Sequence, residues 1–349
     1  MKELLLLLTA GNAVSSSTLQ NCSHLPRAGG YRKYSQWDQD GILHNIFKAI
    51  GVANRAAVEF GFGYEANSGH SGEQLIEHNT GLNTRLLREK GWNVTYFDAL
   101  INDSVAGIKA VILTEDNIVS SFRAAGVPTE VDYVSIDVDS IDVWLLKALL
   151  TEYLPRVISI EYNRNFLSWM HITHTRKWHA WTGRSVYGAS AGEIDYVARV
   201  NGYRVVNIMP SGLDMFLVRK DLLDAHCNPT SIASFEELAG AARLGKRMHK
   251  RCSEWDDLPR LVDMHLETEG RHHDAQLKAR GEVMLLNSLS PKNPMCRLSS
   301  HGIYRRNRSW ARDRLYPKSN EASPQSDTRV ETRSARRSSS QHFARARDA

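Results

Sequence analysis

Four short apolar runs that each close on an acid constrain this chain more than any other feature. They are Ala56-Ala57-Val58-Glu59, continued by Phe60-Gly61-Phe62-Gly63; Val94-Thr95-Tyr96-Phe97-Asp98; Tyr133-Val134-Ser135-Ile136-Asp137-Val138-Asp139; and Val157-Ile158-Ser159-Ile160-Glu161-Tyr162-Asn163. Runs of this length, with little polar alternation, are expected of strands covered on both faces in a parallel sheet. Stretches with helical spacing separate them. Ile42, Leu43, Ile46, Phe47 and Ile50 precede the first run and stop at Gly51, and Leu86-Leu87-Arg88-Glu89 follow the capping types Asn83 and Thr84 and stop at Gly91. Ile118, Val119 and Phe122 form a third helical stretch and Asp142 to Leu150 a fourth, with a further strand expected at Ala110 to Leu113. Strands alternating with helices predict an open parallel sheet with a ligand crevice beyond its carboxyl ends. Tyr203 to Ile208 and Met215 to Val218 are joined only by a short Pro210-Ser211-Gly212 turn, which forces an antiparallel pair. The expected fold class is therefore α/β, with five parallel strands plus an antiparallel hairpin, flanked by helices.

The connections carry further signals. Gln36, Asp38 and Gln39 crowd around Trp37 before the first helix, as a cap or as the edge of a pocket. Tyr64 to Thr80 reads as a polar insertion after the glycines. Phe166 to Trp181 holds Trp169, His171, His174, Trp178, His179 and Trp181. Their spacing fits no helical metal-ligand pair, so the segment is expected to be a loop that covers the crevice mouth and shapes an acceptor pocket. Ser190 with Glu193 three positions on predicts a capping box. Residues 31–225 are taken as the sheet domain and 226–300 as a helical extension whose patchy apolar pattern suggests no chemistry.

The formal charge of +5 at pH 7 belongs to a tail. Residues 301–349 carry twelve Lys or Arg against five Asp or Glu, which leaves the remainder slightly acidic. A basic, nearly aperiodic tail predicts disorder, and no nucleic-acid partner is expected. At the other end, Leu4 to Leu8 and small residues up to Ala13 resemble a secretory leader within residues 1–20, too short to span a bilayer. Sequons at Asn21, Asn93, Asn102 and Asn307 fit a secreted glycoprotein, with a cytoplasmic location as the alternative. Cysteines 22, 227, 252 and 296 lack metal-binding spacing, and one or two disulfides can form only if the chain is lumenal.

Taken with their order, Tyr34-Ser35-Gln36-Trp37, Gln39-Asp40-Gly41, Val58-Glu59-Phe60-Gly61, Asn83-Thr84, Ser135-Ile136-Asp137-Val138-Asp139, Pro155-Arg156-Val157, Ile160-Glu161-Tyr162-Asn163 and Tyr187-Gly188-Ala189-Ser190 resemble the FkbM-like family of class I S-adenosylmethionine-dependent methyltransferases. The resemblance runs from about Tyr34 to Leu223 and implies a Rossmann-like seven-stranded methyltransferase sheet. It implies that Glu59 holds the methionine ammonium of S-adenosyl-L-methionine, that Gly61 and Gly63 let the backbone pass against it, and that Asn83 belongs to the same site. Asp98 would bind the ribose hydroxyls, Asp116 or Asn117 the adenine amino group, and Asp137 would lie near the sulfonium. Asp139 and Glu161 are the candidates to take a proton from an acceptor hydroxyl, with Asn163 positioning it. The implied acceptor is a hydroxyl of a sugar, glycan or small molecule. Two departures stand out: the Tyr64 to Thr80 insertion, and Ser140-Ile141 where the family tends to have Gly-Asn.

Other classes compete. Asp137-Val138-Asp139 at a strand end could bind a divalent ion and a sugar nucleotide in a glycosyltransferase. A metal on Asp137, Glu161 and Asn163 could instead assist an O-methyltransferase. A binding protein that keeps the fold without turnover is the non-enzymatic alternative. No metal site is assigned.

Overall fold

The computed structural model describes residues 19–27, 31–61, 72–78, 81–99, 101–181, 185–244 and 258–289, all within one compact unit. Its strands are β1 (Ala56–Phe60), β2 (Asn93–Asp98), β3 (Ile108–Ala110), β4 (Tyr133–Ile136), β5 (Val157–Glu161), β6 (Ile172–His174), β7 (Tyr203–Ile208), β8 (Asp214–Arg219) and β9 (Leu261–Asp263). Seven of them form one sheet in the order β3-β2-β1-β4-β5-β8-β7. β1 to β5 pair in parallel, β8 runs antiparallel to β5, and β7 runs antiparallel to β8. The chain is thus α/β with a mostly parallel seven-stranded sheet, compatible with a Rossmann-like fold. The strand order reverses between β1 and β4, the switch point where such sheets leave a crevice at their carboxyl edge.

Period-two alternation explains how the sheet is covered. Val58, Phe60, Val134, Ile136, Ile158 and Ile160 point to one core with α4 (Ile118–Ala124), α5 (Asp142–Leu149) and α6 (Ala191–Val200). Ala57, Val94, Tyr96, Tyr133 and Val157 point to the other with α1 (Gln39–Ile50). Glu59, Ser135 and Ser159 occupy this second face at one level of the sheet, since Glu59 pairs with Ser135 and Ser135 with Ser159. Their polarity is satisfied laterally: the Tyr133 hydroxyl lies 2.7 Å from Ser159 Oγ, which donates to Ser135 Oγ at 3.2 Å. Asp132, just before β4, accepts from the backbone N–H groups of Ala53, Asn54 and Arg55 and pairs with Arg156 at 2.9 Å.

Several local expectations need correction. β3 spans Ile108–Ala110, not Ala110 to Leu113, because its ladder with β2 closes where Asp98 meets Ala110. The Tyr64 to Thr80 stretch contains α2 (Gly72–His78). Thr84 precedes α3 (Arg85–Glu89) without a side-chain cap, its hydroxyl being used elsewhere. Ser190 Oγ does accept from Glu193 N–H at the start of α6, but the buried Glu193 carboxylate turns to two histidines, so only half of the predicted capping box forms. The expected loop from Phe166 to Trp181 contains β6, which pairs with β9.

Toward the C-terminus the described residues form α7 (Lys220–His226), α8 (Phe235–Ala242), α9 (Met264–Thr268) and α10 (His272–Leu289). The β6–β9 pair ties it to the rest of the chain. At the other end, Cys22 is joined to Cys227 at the end of α7 by a disulfide with Cα atoms 5.6 Å apart. Cys252, Cys296, Asn307, residues 1–18 of the expected leader and the basic tail lie outside the described residues. Among the described residues, no helix is long and apolar enough to cross a membrane.

Candidate functional site

A crevice opens at the switch point, lined by Gln36, Gln39, Glu59, Phe60, Gly61, Gly81, Asn83, Ser135, Asp137, Leu213 and Asp214. Its enclosed part, about 30 Å³, has room for one or two water molecules and lies within a solvent-open depression of about 330 Å³. Of the predicted cofactor residues, Glu59, Gly61, Asn83 and Asp137 meet here, and Gly63 lies outside the described residues. Gln36 and Gln39 prove to be pocket edge.

Glu59 is the penultimate residue of β1 and is almost fully buried. Asn83 N–H donates to Oε1 at 2.8 Å, while Thr84 N–H, at 2.9 Å, and the Thr84 hydroxyl donate to Oε2. The carboxylate therefore fastens the turn before α3, and this is why Thr84 caps nothing. Burial nevertheless pushes its pKa up to about 7 against the lowering effect of those bonds.

Gly61 adopts φ +80°, and a Cβ there would stand 1.2 Å from the Asp137 carbonyl oxygen. The space that the sequence suggested was left for a ligand is filled on this side by the end of β4. Glycine at 61 permits the close approach of two strand ends.

Asp214 is the acid that sequence reasoning missed. It begins β8, and because β8 is antiparallel, its first residue comes to the same sheet edge as the last residues of β1, β4 and β5, directly opposite Glu161. Gln39 Nε2 donates to Asp214 Oδ2 at 2.9 Å and Asn83 Nδ2 to the same oxygen at 3.2 Å. Burial raises its pKa to about 6, partly opposed by these two bonds. A signal was available: an acid that opens an antiparallel strand after a tight turn shares an edge with acids that close parallel ones.

Next to the crevice the acids crowd. Carboxylate oxygens of Asp137, Asp139 and Glu161 all lie within 4.8 Å of one another. Asp139 holds φ +58° in the turn between β4 and α5. Asp142 braces that turn by accepting from Val138 N–H at 2.7 Å and Ser140 N–H at 2.9 Å, so Ser140 serves the turn itself. Burial lifts Asp142 to about 7. Burial, followed by the neighbouring acids, holds Asp137 and Glu161 well above the usual carboxylate range. Burial also raises Asp139, opposed by its hydrogen bond with Glu161. Glu161 Oε2 and Asn83 Oδ1 are buried acceptors without a hydrogen-bond partner. Unpartnered buried acceptors among like charges are costly, and a cationic ligand relieves both problems.

The remaining predicted residues lie elsewhere. Asn163 donates from Nδ2 to the carbonyls of Ser185, at 2.8 Å, and Tyr187, at 3.0 Å, and accepts from Asn165 N–H, so it pins the 185–189 segment. Asn117 is spent on its own loop, accepting from Thr114 N–H and donating to the Ile112 carbonyl. Asp116 is exposed. Asp98 sits one position past the Phe60–Phe97 pair, level with Gly61, and accepts from Ile101 N–H at 3.0 Å, but it does not line the crevice. Compared with known proteins, the chain matches no family model and no curated protein.

Proposed function

We propose that this chain is an S-adenosylmethionine-dependent O-methyltransferase acting on a hydroxyl of a sugar or small molecule. The observation that carries the reading is the set of carboxyls from Glu59, Asp137, Asp139, Glu161 and Asp214 at the switch point, with raised proton affinities and two orphaned acceptors. A ligand with an ammonium and a sulfonium fits that donor set. Asp137, Asp214 and Asn83 are the groups placed to hold those charges, while Glu59 shapes the turn that carries Asn83. Favourable charge pairs gain strength in a site of lowered dielectric.

S-adenosylmethionine supplies an activated methyl group when bound. The protein's own task is to align an acceptor hydroxyl and hold the proton it loses. Asp139 and Glu161 suit the second task, because a carboxylate of raised pKa is a better base at neutral pH. The disulfide fits an oxidising compartment, which supports the secretory reading.

One observation favours a second reading. Three carboxylates within 4.8 Å also suit a divalent cation, as a sugar-nucleotide-dependent glycosyltransferase would need. Calorimetric titration of the full chain separates the two. Saturable binding of S-adenosylmethionine without added metal supports the methyltransferase; binding of a sugar nucleotide with manganese, and none of S-adenosylmethionine, overturns it.

A further inference from the structure

Outside the crevice, a second cluster joins three segments far apart in sequence. His171 immediately precedes β6, Glu193 lies in the first turn of α6, and His265 lies in α9. Glu193 Oε2 is 2.9 Å from His171 Nδ1 and 3.3 Å from His265 Nε2. One ligand atom from each of the three residues falls within 4.8 Å of the others. A tetrahedral ion with bonds of about 2.0–2.1 Å separates its ligands by about 3.3 Å, so both carboxylate–imidazole distances are close to the edges of such a shell.

The backbone sets this arrangement independently of the three side chains. Ser190 Oγ donates to the Met170 carbonyl at 2.6 Å and accepts from Ile172 N–H, fixing the segment on either side of His171 to the start of α6. Gly192 lies so close to that segment that a Cβ would stand 2.1 Å from the Ser168 carbonyl oxygen. Met264 N–H donates to the His171 carbonyl at 3.1 Å, which brings α9 and His265 alongside. Asp263 accepts from Leu266 N–H and pairs with Lys278, holding α9 in place.

The cluster is also open to an ion from one side. The Glu193 side chain is 1% exposed, and its ion-pair partners are the two imidazoles. Both imidazoles are about one-third exposed, so an ion and a water ligand can reach them. Their rings stand nearly perpendicular, with centroids 4.7 Å apart, and Tyr196 packs against both. Two imidazoles, one carboxylate and an open fourth position form a donor set suited to zinc.

We propose that His171, Glu193 and His265 form a zinc-class metal site, separate from the carboxylate crevice, that fastens the β9–α9–α10 segment to α6. The full-length chain, stripped with chelator, is titrated with zinc chloride by calorimetry and with cobalt(II) by visible absorption. The expected result is one tight equivalent of zinc and a tetrahedral cobalt spectrum. Both are weakened at least 100-fold in His265→Ala and in Glu193→Gln, and unchanged in Asp139→Asn. Circular dichroism of His265→Ala, a partly exposed position, verifies that its fold is intact. Zinc affinity unchanged by His265→Ala and His171→Ala, zinc lost only with Asp139→Asn, or no saturable binding at all overturns the site.

Discussion

Glu161 is a carboxyl buried among carboxyls, with one oxygen that meets no donor. Glu161→Gln removes an ionisable group without removing volume. It should raise the melting temperature of the unliganded protein, as read by calorimetry, while lowering methyl transfer on the order of 10²–10⁴-fold if Glu161 takes the proton. The acids also set a pH dependence. Glu59 and Asp142 titrate at about 7 and Asp214 at about 6 in the fold, against values near 4 when unfolded. An acid whose folded pKa is raised gives stability that is complete below the unfolded pKa and lost as pH rises through the folded one. Unliganded protein should therefore melt at higher temperature near pH 5 than near pH 8, and Asp142→Asn should flatten that slope. A melting temperature that rises over the same interval would contradict the account of these groups. At Gly61, alanine would meet both a positive φ and the Asp137 carbonyl, so Gly61→Ala should cost about 3 kcal/mol or more in denaturant unfolding. Asp214 was missed as a site residue because acids were sought only where strands end. The carboxyl edge of this sheet also receives the beginning of β8.

Among the elements, the strands with buried runs were the most legible: β1, β2, β4 and β5 announce themselves by three or four apolar or β-branched residues, broken at most by one serine, ahead of an acid. β6 and β9 are three residues each and form a two-stranded sheet apart from the main one, so no periodicity could reveal them. Residue types common at helix starts misled for a physical reason. Thr84 and Glu193 both precede or open helices, yet a buried carboxylate at Glu59 and two imidazoles offer their side chains better partners than the helix termini do. At this scale the Asp132 clamp is testable. It gathers three backbone donors ahead of β1 and the Arg156 guanidinium ahead of β5, so Asp132→Ala should destabilise by about 3–5 kcal/mol in urea unfolding. A loss under 1 kcal/mol would show that the clamp is redundant with the strand ladders.

For the whole molecule, two ties join distant parts of the chain: the disulfide between residues 205 apart in sequence and the β6–β9 pairing. Closing a loop of that length lowers unfolded-state entropy by about 5 kcal/mol in the chain-entropy model, so reduction should shift denaturant unfolding by up to that amount. The overall α/β order was readable because each crossover helix follows its strand with its own period. Glu59, Asp137 and Glu161 could be gathered at one edge from the strand pattern, whereas the place of Asp214 opposite Glu161 depends on the register of the antiparallel pair. The central claim is that this edge waits for a cationic ligand, and binding of S-adenosylmethionine to the full chain near pH 6.5, followed by calorimetry in buffers of different ionisation enthalpy, tests it most directly. The account predicts saturable binding with net proton release, as carboxyls of raised pKa ionise against the arriving charge, and it predicts that Asp214→Asn weakens binding. Absence of saturable binding, or binding with no proton release and indifferent to Asp214→Asn, would contradict it.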